Sequence, residues 1–182
     1  MRIYVARHGL TEMNKLRVAN AEIDEPLAPE GIEQAKDAAK SIPKTIRHVY
    51  SSPQKRAVQT AKILKPDDSI TITEIPDLAE IKMGTLSGIA WQDMPNSQEI
   101  DRQRRSVQFD YREHGGEARE DVLERVKRFI ESIHDKHNDD EVLIVTHGGI
   151  IRVLNLLENQ EVISGTVGNV SVTVFDTKKI LE

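Results

Sequence analysis

The chain has 182 residues, a length suited to one domain around one core, and 38% hydrophobic with 4% aromatic content rests that core on Ile, Val, Leu and Ala. Charged residues reach 30% with both signs mixed and a net charge of −5, which excludes disorder and general nucleic-acid binding. The absence of cysteine excludes disulfides, thiolate zinc sites and cysteine nucleophiles, and no run of about 18 apolar residues offers a membrane span.

The N-terminus carries no charged segment followed by an apolar stretch, so a soluble, cytoplasmic protein is expected. Six histidines are present without an H-E-x-x-H pair or clustered spacing, so no metal site is expected.

Ile3, Tyr4, Val5 and Ala6 form a short apolar run of strand formers. At its end stand Arg7, His8 and Gly9. The glycine lets the backbone turn sharply and approach a ligand, and open α/β sheets bind ligands at the carboxyl ends of their strands. Leu10 to Glu25 is polar and aperiodic, a loop long enough to wrap over a ligand. Within it, Asn14 either donates its amide to a bound anion or satisfies its own turn.

Pro29 fits the first turn of a helix whose stripe is Ile32, Ala35, Ala39 and Ile42, stopped by Pro43. Ile46 to Tyr50 reads as the second strand. Ser51-Ser52-Pro53 is a helix start, a hydroxyl cap followed by proline, for a helix running to about Leu64. Arg56 lies near its N-terminal turn, where it is either a surface arginine or an addition to a phosphate site. Ile70 to Ile75 alternates as a third strand. Asp77 to Gly88 is aperiodic, and its Glu80 taken alone is an ordinary solvated glutamate.

The segment at about 76–116 is expected to be a partly helical insertion, or lid, over the site. Its Arg102, Arg104 and Arg105 cluster ahead of Tyr111, Arg112 and His114, forming either a solvated face or a grip on a second acidic group of the substrate. From Glu117 a helix signal returns. Glu117, Glu120 and Asp121 occupy its first turn, and Val122, Val126, Phe129, Ile130 and Ile133 make its stripe.

Asn138-Asp139-Asp140 reads as a turn. Glu141 to Thr146 is a continuous apolar run, the centre of a parallel sheet. It ends in His147-Gly148-Gly149, and Ile150 to Leu157 follows as a helix apolar on nearly all sides. This repeats the plan of residues 2–9. Val170 to Phe175 is the last strand. The alternation predicts an α/β fold, a three-layer α/β/α sandwich with a mostly parallel central sheet, in one domain over 1–182. If the strands beginning at Ile3 and Val142 are neighbours, His8 and His147 share one mouth.

Four blocks then stand in order from Met1 to about Asp176: Arg7-His8-Gly9 with Asn14, SSPQKRAVQTA, LAEIKMGTLSG, and Thr146-His147-Gly148. Together they resemble the histidine phosphatase superfamily, the phosphoglycerate-mutase-like phosphatases. The resemblance implies that His8 is a nucleophile forming a phosphohistidine. It likewise implies that Arg7, Arg56, His147 and Gly148 bind phosphate with Asn14 assisting, and that Glu80 protonates the leaving group. Glu117, in GGEAREDV, also falls in a familiar segment but reads first as part of a helix start.

The chemistry agrees with that resemblance. A neutral imidazole attacks phosphorus when its other nitrogen donates to a fixed acceptor. A transferring phosphoryl spreads charge over its equatorial oxygens, and two arginine forks match them. No metal or cofactor is then needed.

Three departures concern the substrate. Leu10 stands where many members have Glu or Gln, and Ala21 where many have Gly. Glu80-Ile81-Lys82-Met83-Gly84 lacks the tyrosine that follows this glutamate in the mutases. The expectation is therefore a metal-independent phosphatase for a small phosphorylated metabolite, without nucleic-acid or membrane partners. Second readings are a cofactor-dependent phosphoglycerate mutase, a protein phosphohistidine phosphatase and a silent phosphate-binding module. Oligomeric state stays open.

Overall fold

A computed structural model of the chain describes residues 1–137 and 140–182. The first apolar run forms strand β1 (Arg2–Arg7), followed by a single helical turn, α1 (Glu12–Lys15). The expected loop therefore contains a helix. It buries no side chain and is held by Thr11, whose hydroxyl accepts from Asn14 N–H at 3.2 Å. An element with no buried face leaves no periodicity to read.

Helix α2 (Pro29–Ala39) starts on its proline as expected and ends before Ile42, which is still buried. Strand β2 (His48–Ser51), helix α3 (Lys55–Leu64) and strand β3 (Ile72–Glu74) follow. Between residues 76 and 116 the chain forms 3-10 turns at Pro76–Leu78, Gly84–Leu86, Trp91–Asp93 and Arg112–His114, together with helix α4 (Ser97–Ser106).

Helix α5 (Arg119–His137) begins beyond Glu117, and Asp121 accepts from Ala118 N–H at its start. Of the turn expected at Asn138-Asp139-Asp140, the first two residues lie outside the described residues. Strand β4 (Val142–Thr146), helix α6 (Gly148–Asn159), strand β5 (Val172–Asp176) and a short helix α7 (Thr177–Leu181) complete the chain. That last helix was not anticipated. Its cap is Asp176, whose carboxylate accepts from Lys178 N–H at 3.0 Å.

Among the described residues the strands form one sheet in the order β3-β2-β4-β1-β5, with only β5 antiparallel. Strand period explains the layers, because alternate side chains leave opposite faces. Ile3, Val5, Val142 and Ile144 join Val122, Val126, Phe129 and Ile130 of α5, Ile150 and Leu154 of α6, and Ile180 of α7. Ala6, Leu143 and Val145 face the other way, onto Ala57, Ala61 and Leu64 of α3, with Ala38 and Ala39 of α2 packed alongside. Every residue of β4 is buried, as a strand covered on both faces requires. The expected neighbours are paired in parallel, Ile3 with Val142 through Arg7 with Thr146.

Candidate active site

Because β1 and β4 end in register, the residues after them lie side by side, and His8 N–H donates to the Thr146 carbonyl at 2.9 Å. The His8 and His147 rings stand 5.1 Å apart between centroids, tilted by 58°. The shared mouth is thus formed. Gly9 serves a different purpose from the one expected, since its φ is not left-handed. A β-carbon there would come within 2.7 Å of the Gly31 carbonyl, so the glycine lets the turn pack against the start of α2.

Both imidazoles are buried, at 2% and 0% exposure. Burial holds His8 well below the ordinary histidine range, and the positive charges of Arg7 and Arg56 push it the same way. Burial does the same to His147, reinforced by Arg56, His8 and Arg7. Both rings are therefore neutral near pH 7. Nδ1 of His8 lies 2.7 Å from the Gly9 carbonyl, which only accepts, so Nδ1 carries the proton and Nε2 keeps its lone pair.

His147 is oriented by a residue first read as a helix cap. Its Nε2 lies 2.8 Å from Ser52 Oγ, which also accepts from Gln54 N–H at 3.3 Å. With the serine proton directed to Nε2, Nδ1 of His147 carries the ring hydrogen. Among the described residues that buried Nδ1 has no hydrogen-bond partner, and neither has Nε of Arg7 or of Arg56. Each orphaned donor costs about 1–3 kcal/mol.

Both guanidiniums are anchored through other nitrogens. Arg7 donates to the Val167 carbonyl at 2.5 Å, while Arg56 donates to the carbonyls of Ile23 at 2.8 Å and Asn20 at 3.2 Å. Arg7, Asn14, Glu80 and Gly148 line a cavity of about 660 Å³, beneath which His8, Arg56 and His147 are buried. The Asn14 side-chain oxygen accepts from the Asn169 amide at 3.3 Å, which leaves the Asn14 amide hydrogens for another acceptor. Glu80 accepts from Ile81 N–H at 2.9 Å and Gly149 N–H at 3.3 Å. A β-carbon at Gly149 would collide with Glu80 and Ile81, so that glycine makes room for the carboxylate.

Other residues hold the site without having been singled out for it. Thr60 accepts from Gly9 N–H at 3.0 Å and donates to the Arg56 carbonyl at 2.7 Å, tying α3 to the His8 turn. Glu117 is not at the start of α5. It pairs with Arg125 at 2.8 Å, both side chains largely buried, and accepts from Lys82 N–H at 2.9 Å. Arg125 also donates to the Asp77 carbonyl at 2.5 Å, so the pair clamps the segment that carries Glu80.

The arginine cluster divides. Arg102 pairs with Glu99 in solvent, whereas Arg104 and Arg105 share Asp101 at 2.7 and 2.6 Å and line the cavity. Arg104 lies 4.8 Å over the Trp91 ring, and its Nε and the Tyr111 hydroxyl are buried without partners among the described residues. Arg152 lines the same wall, pulled down to about 10 by burial and by the charges of Arg104 and Arg105.

Residues 3–179 match the family described as histidine phosphatase superfamily (branch 1). The chain is 33% identical over 191 residues to the metal-independent phosphoserine phosphatase of Arabidopsis thaliana, covering 99% of this chain and 79% of that protein. It is 27% identical over 155 residues to the putative phosphoserine phosphatase 2 of Hydrogenobacter thermophilus, covering 84% and 76%. Among solved structures, the mycobacterial glucosyl-3-phosphoglycerate phosphatase complexed with VO3 superimposes with a TM-score of 0.84 at 26% identity, over 95% of this chain and 91% of that one. Phosphoglycerate mutase from Thermus thermophilus gives 0.78 at 28%, over 97% and 93%.

Proposed function

The chain belongs to the histidine phosphatase superfamily, and from that membership we propose that it hydrolyses a small phosphomonoester, without a metal, through a phosphohistidine on His8. The observation that carries this reading is the set of three unpartnered buried donors, on Arg7, Arg56 and His147, grouped around a neutral His8. They match the equatorial oxygens of a transferring phosphoryl, with the Gly148 and Asn14 amides beside them.

In the first step the Nε2 lone pair of His8 forms the N–P bond as the P–O bond to the alkoxide breaks. Glu80 gives its proton to that oxygen. In the second step water attacks phosphorus, Glu80 takes the water proton, and the electron pair of the N–P bond returns to Nε2. The Gly9 carbonyl holds the Nδ1 proton throughout.

The 76–116 segment acts as a substrate lid, and its chemistry favours an ester with a second anionic group. Five arginines face two carboxylates in the cavity wall. The unpartnered Arg104 Nε and Tyr111 hydroxyl supply further donors from the lid segment. Phosphorylated amino or hydroxy acids fit that description. Such charged metabolites are retained in the cytoplasm, which is the compartment this reading assigns.

A panel of phosphate esters, with and without a distal carboxylate, tests the proposal in excess chelator. Wild type is expected to release phosphate, with the carboxylated esters showing the higher kcat/KM, and His8→Ala is expected to release none. Isomerised 3-phosphoglycerate in place of free phosphate would make the enzyme a mutase. Undiminished release by His8→Ala would remove the phosphohistidine.

A further inference from the structure

At the opposite end of the sheet, the fold gathers three side chains that no sequence spacing had linked. His48 opens β2, His137 closes α5, and Asp140 leads into β4. One ligand atom from each lies within 4.8 Å of the others. We propose that His48, His137 and Asp140 form a structural site for a nitrogen-preferring divalent cation, zinc above all. The site rests on none of the phosphatase reading. The five residues of β4 separate it from His147, a rise of roughly 16 Å at about 3.3 Å per residue.

Four features support the assignment. First, the two imidazoles lie 3.8 Å apart between centroids, 28° from parallel, which puts both rings within reach of the same carboxylate, and a turn of the partly exposed His48 ring is what brings its nitrogen to a shared ion. Second, the Tyr50 hydroxyl engages Nε2 of His137 at 2.6 Å, the kind of outer partner that orients a ligating imidazole. Among the described residues nothing bonds Nδ1 of His137, which is the nitrogen left for a cation. Third, the Asp140 carboxylate oxygen already lies 3.1 Å from His48 Nε2. Fourth, His137 ends a 19-residue helix, whose C-terminal pole favours positive charge.

Zinc–ligand bonds of about 2.0–2.2 Å require the three atoms to draw together to roughly 3–4 Å. His48 and Asp140, with side chains 34% and 59% exposed, are free enough to do so. Water completes the tetrahedron. The bound ion ties the end of α5 to the entry edges of β2 and β4.

The full chain, stripped with chelator and dialysed into phosphate-free buffer, is titrated with zinc chloride by calorimetry. One equivalent is expected to bind. At a hundredfold excess over Kd the Tm is expected to rise by about 5–10 °C. His48→Gln, at a half-buried position, and Asp140→Asn, at an exposed one, should each weaken binding by at least about a hundredfold, beyond the loss of an outer partner. Turnover in either variant should stay unchanged. Absence of saturable binding overturns the proposal, and so does wild-type affinity in both variants, which would put the zinc elsewhere.

Discussion

At the scale of single residues, protons matter more than charges. His8 and His147 are both neutral, yet they play opposite parts because different atoms hold their inner nitrogens. The Gly9 carbonyl leaves His8 a lone pair, and the Ser52 hydroxyl leaves His147 a hydrogen to donate. Ser52→Ala should let the His147 ring turn, lowering kcat by about tenfold to a hundredfold, the cost of a misplaced group in a tight site. Steady-state kinetics on Ser52→Ala and Ser52→Thr separate this from a packing defect, because threonine retains the hydroxyl and should retain most of the rate. Glu80→Gln keeps the size of the side chain but cannot pass a proton. Its turnover on an ester with a poor leaving group should fall by roughly a hundred- to ten-thousand-fold while phosphate binding survives. An unchanged rate would take Glu80 out of the proton transfers.

At the scale of elements, the site depends on a clamp between α5 and the segment before it. Glu117 and Arg125 are 15% and 11% exposed, so removing one leaves the other charge nearly buried and unpaired. Arg125→Leu should destabilise the protein by about 3 kcal/mol in urea unfolding. It should also lower kcat, because Arg125 holds the backbone at Asp77 near Glu80. Adding Glu117→Gln should recover part of the stability but not the rate. Elements with one buried stripe or a continuous apolar run, such as α5 and β4, were legible in the sequence because burial imposes a period on them. The one-turn α1 and terminal α7 impose none. Glu117 and Ser52 looked like helix-start residues, and that local pattern is indistinguishable from a tertiary partnership formed with Arg125 or His147. The His8–His147 meeting was legible only as a conditional, since it required the β1–β4 pairing.

For the whole molecule, burying two neutral imidazoles couples folding to pH. Their native values lie well below the unfolded value of about 6.5, so below that pH the unfolded chain binds protons that the folded chain does not. Their contribution to stability is complete above about pH 6.5 and is lost as pH falls toward the native values. Each histidine adds a slope of up to about 1.4 kcal/mol per pH unit over that window. Urea unfolding between pH 5 and 7 should show it, with a shallower slope in His8→Asn. An equal slope would mean His8 is not neutral in the folded state. His48, His137 and Asp140 meet only through the sheet, which is why their spacing carried no signal in the chain.

The central claim is that phosphorus is bonded for a time to Nε2 of His8. Rapid acid-free quenching during turnover, followed by peptide mass analysis, tests it most directly. The expected result is an acid-labile, base-stable phosphoryl group on the peptide containing His8, formed and consumed at rates that match kcat. Turnover without a phosphorylated enzyme, or with the phosphoryl group on another residue, would contradict the account.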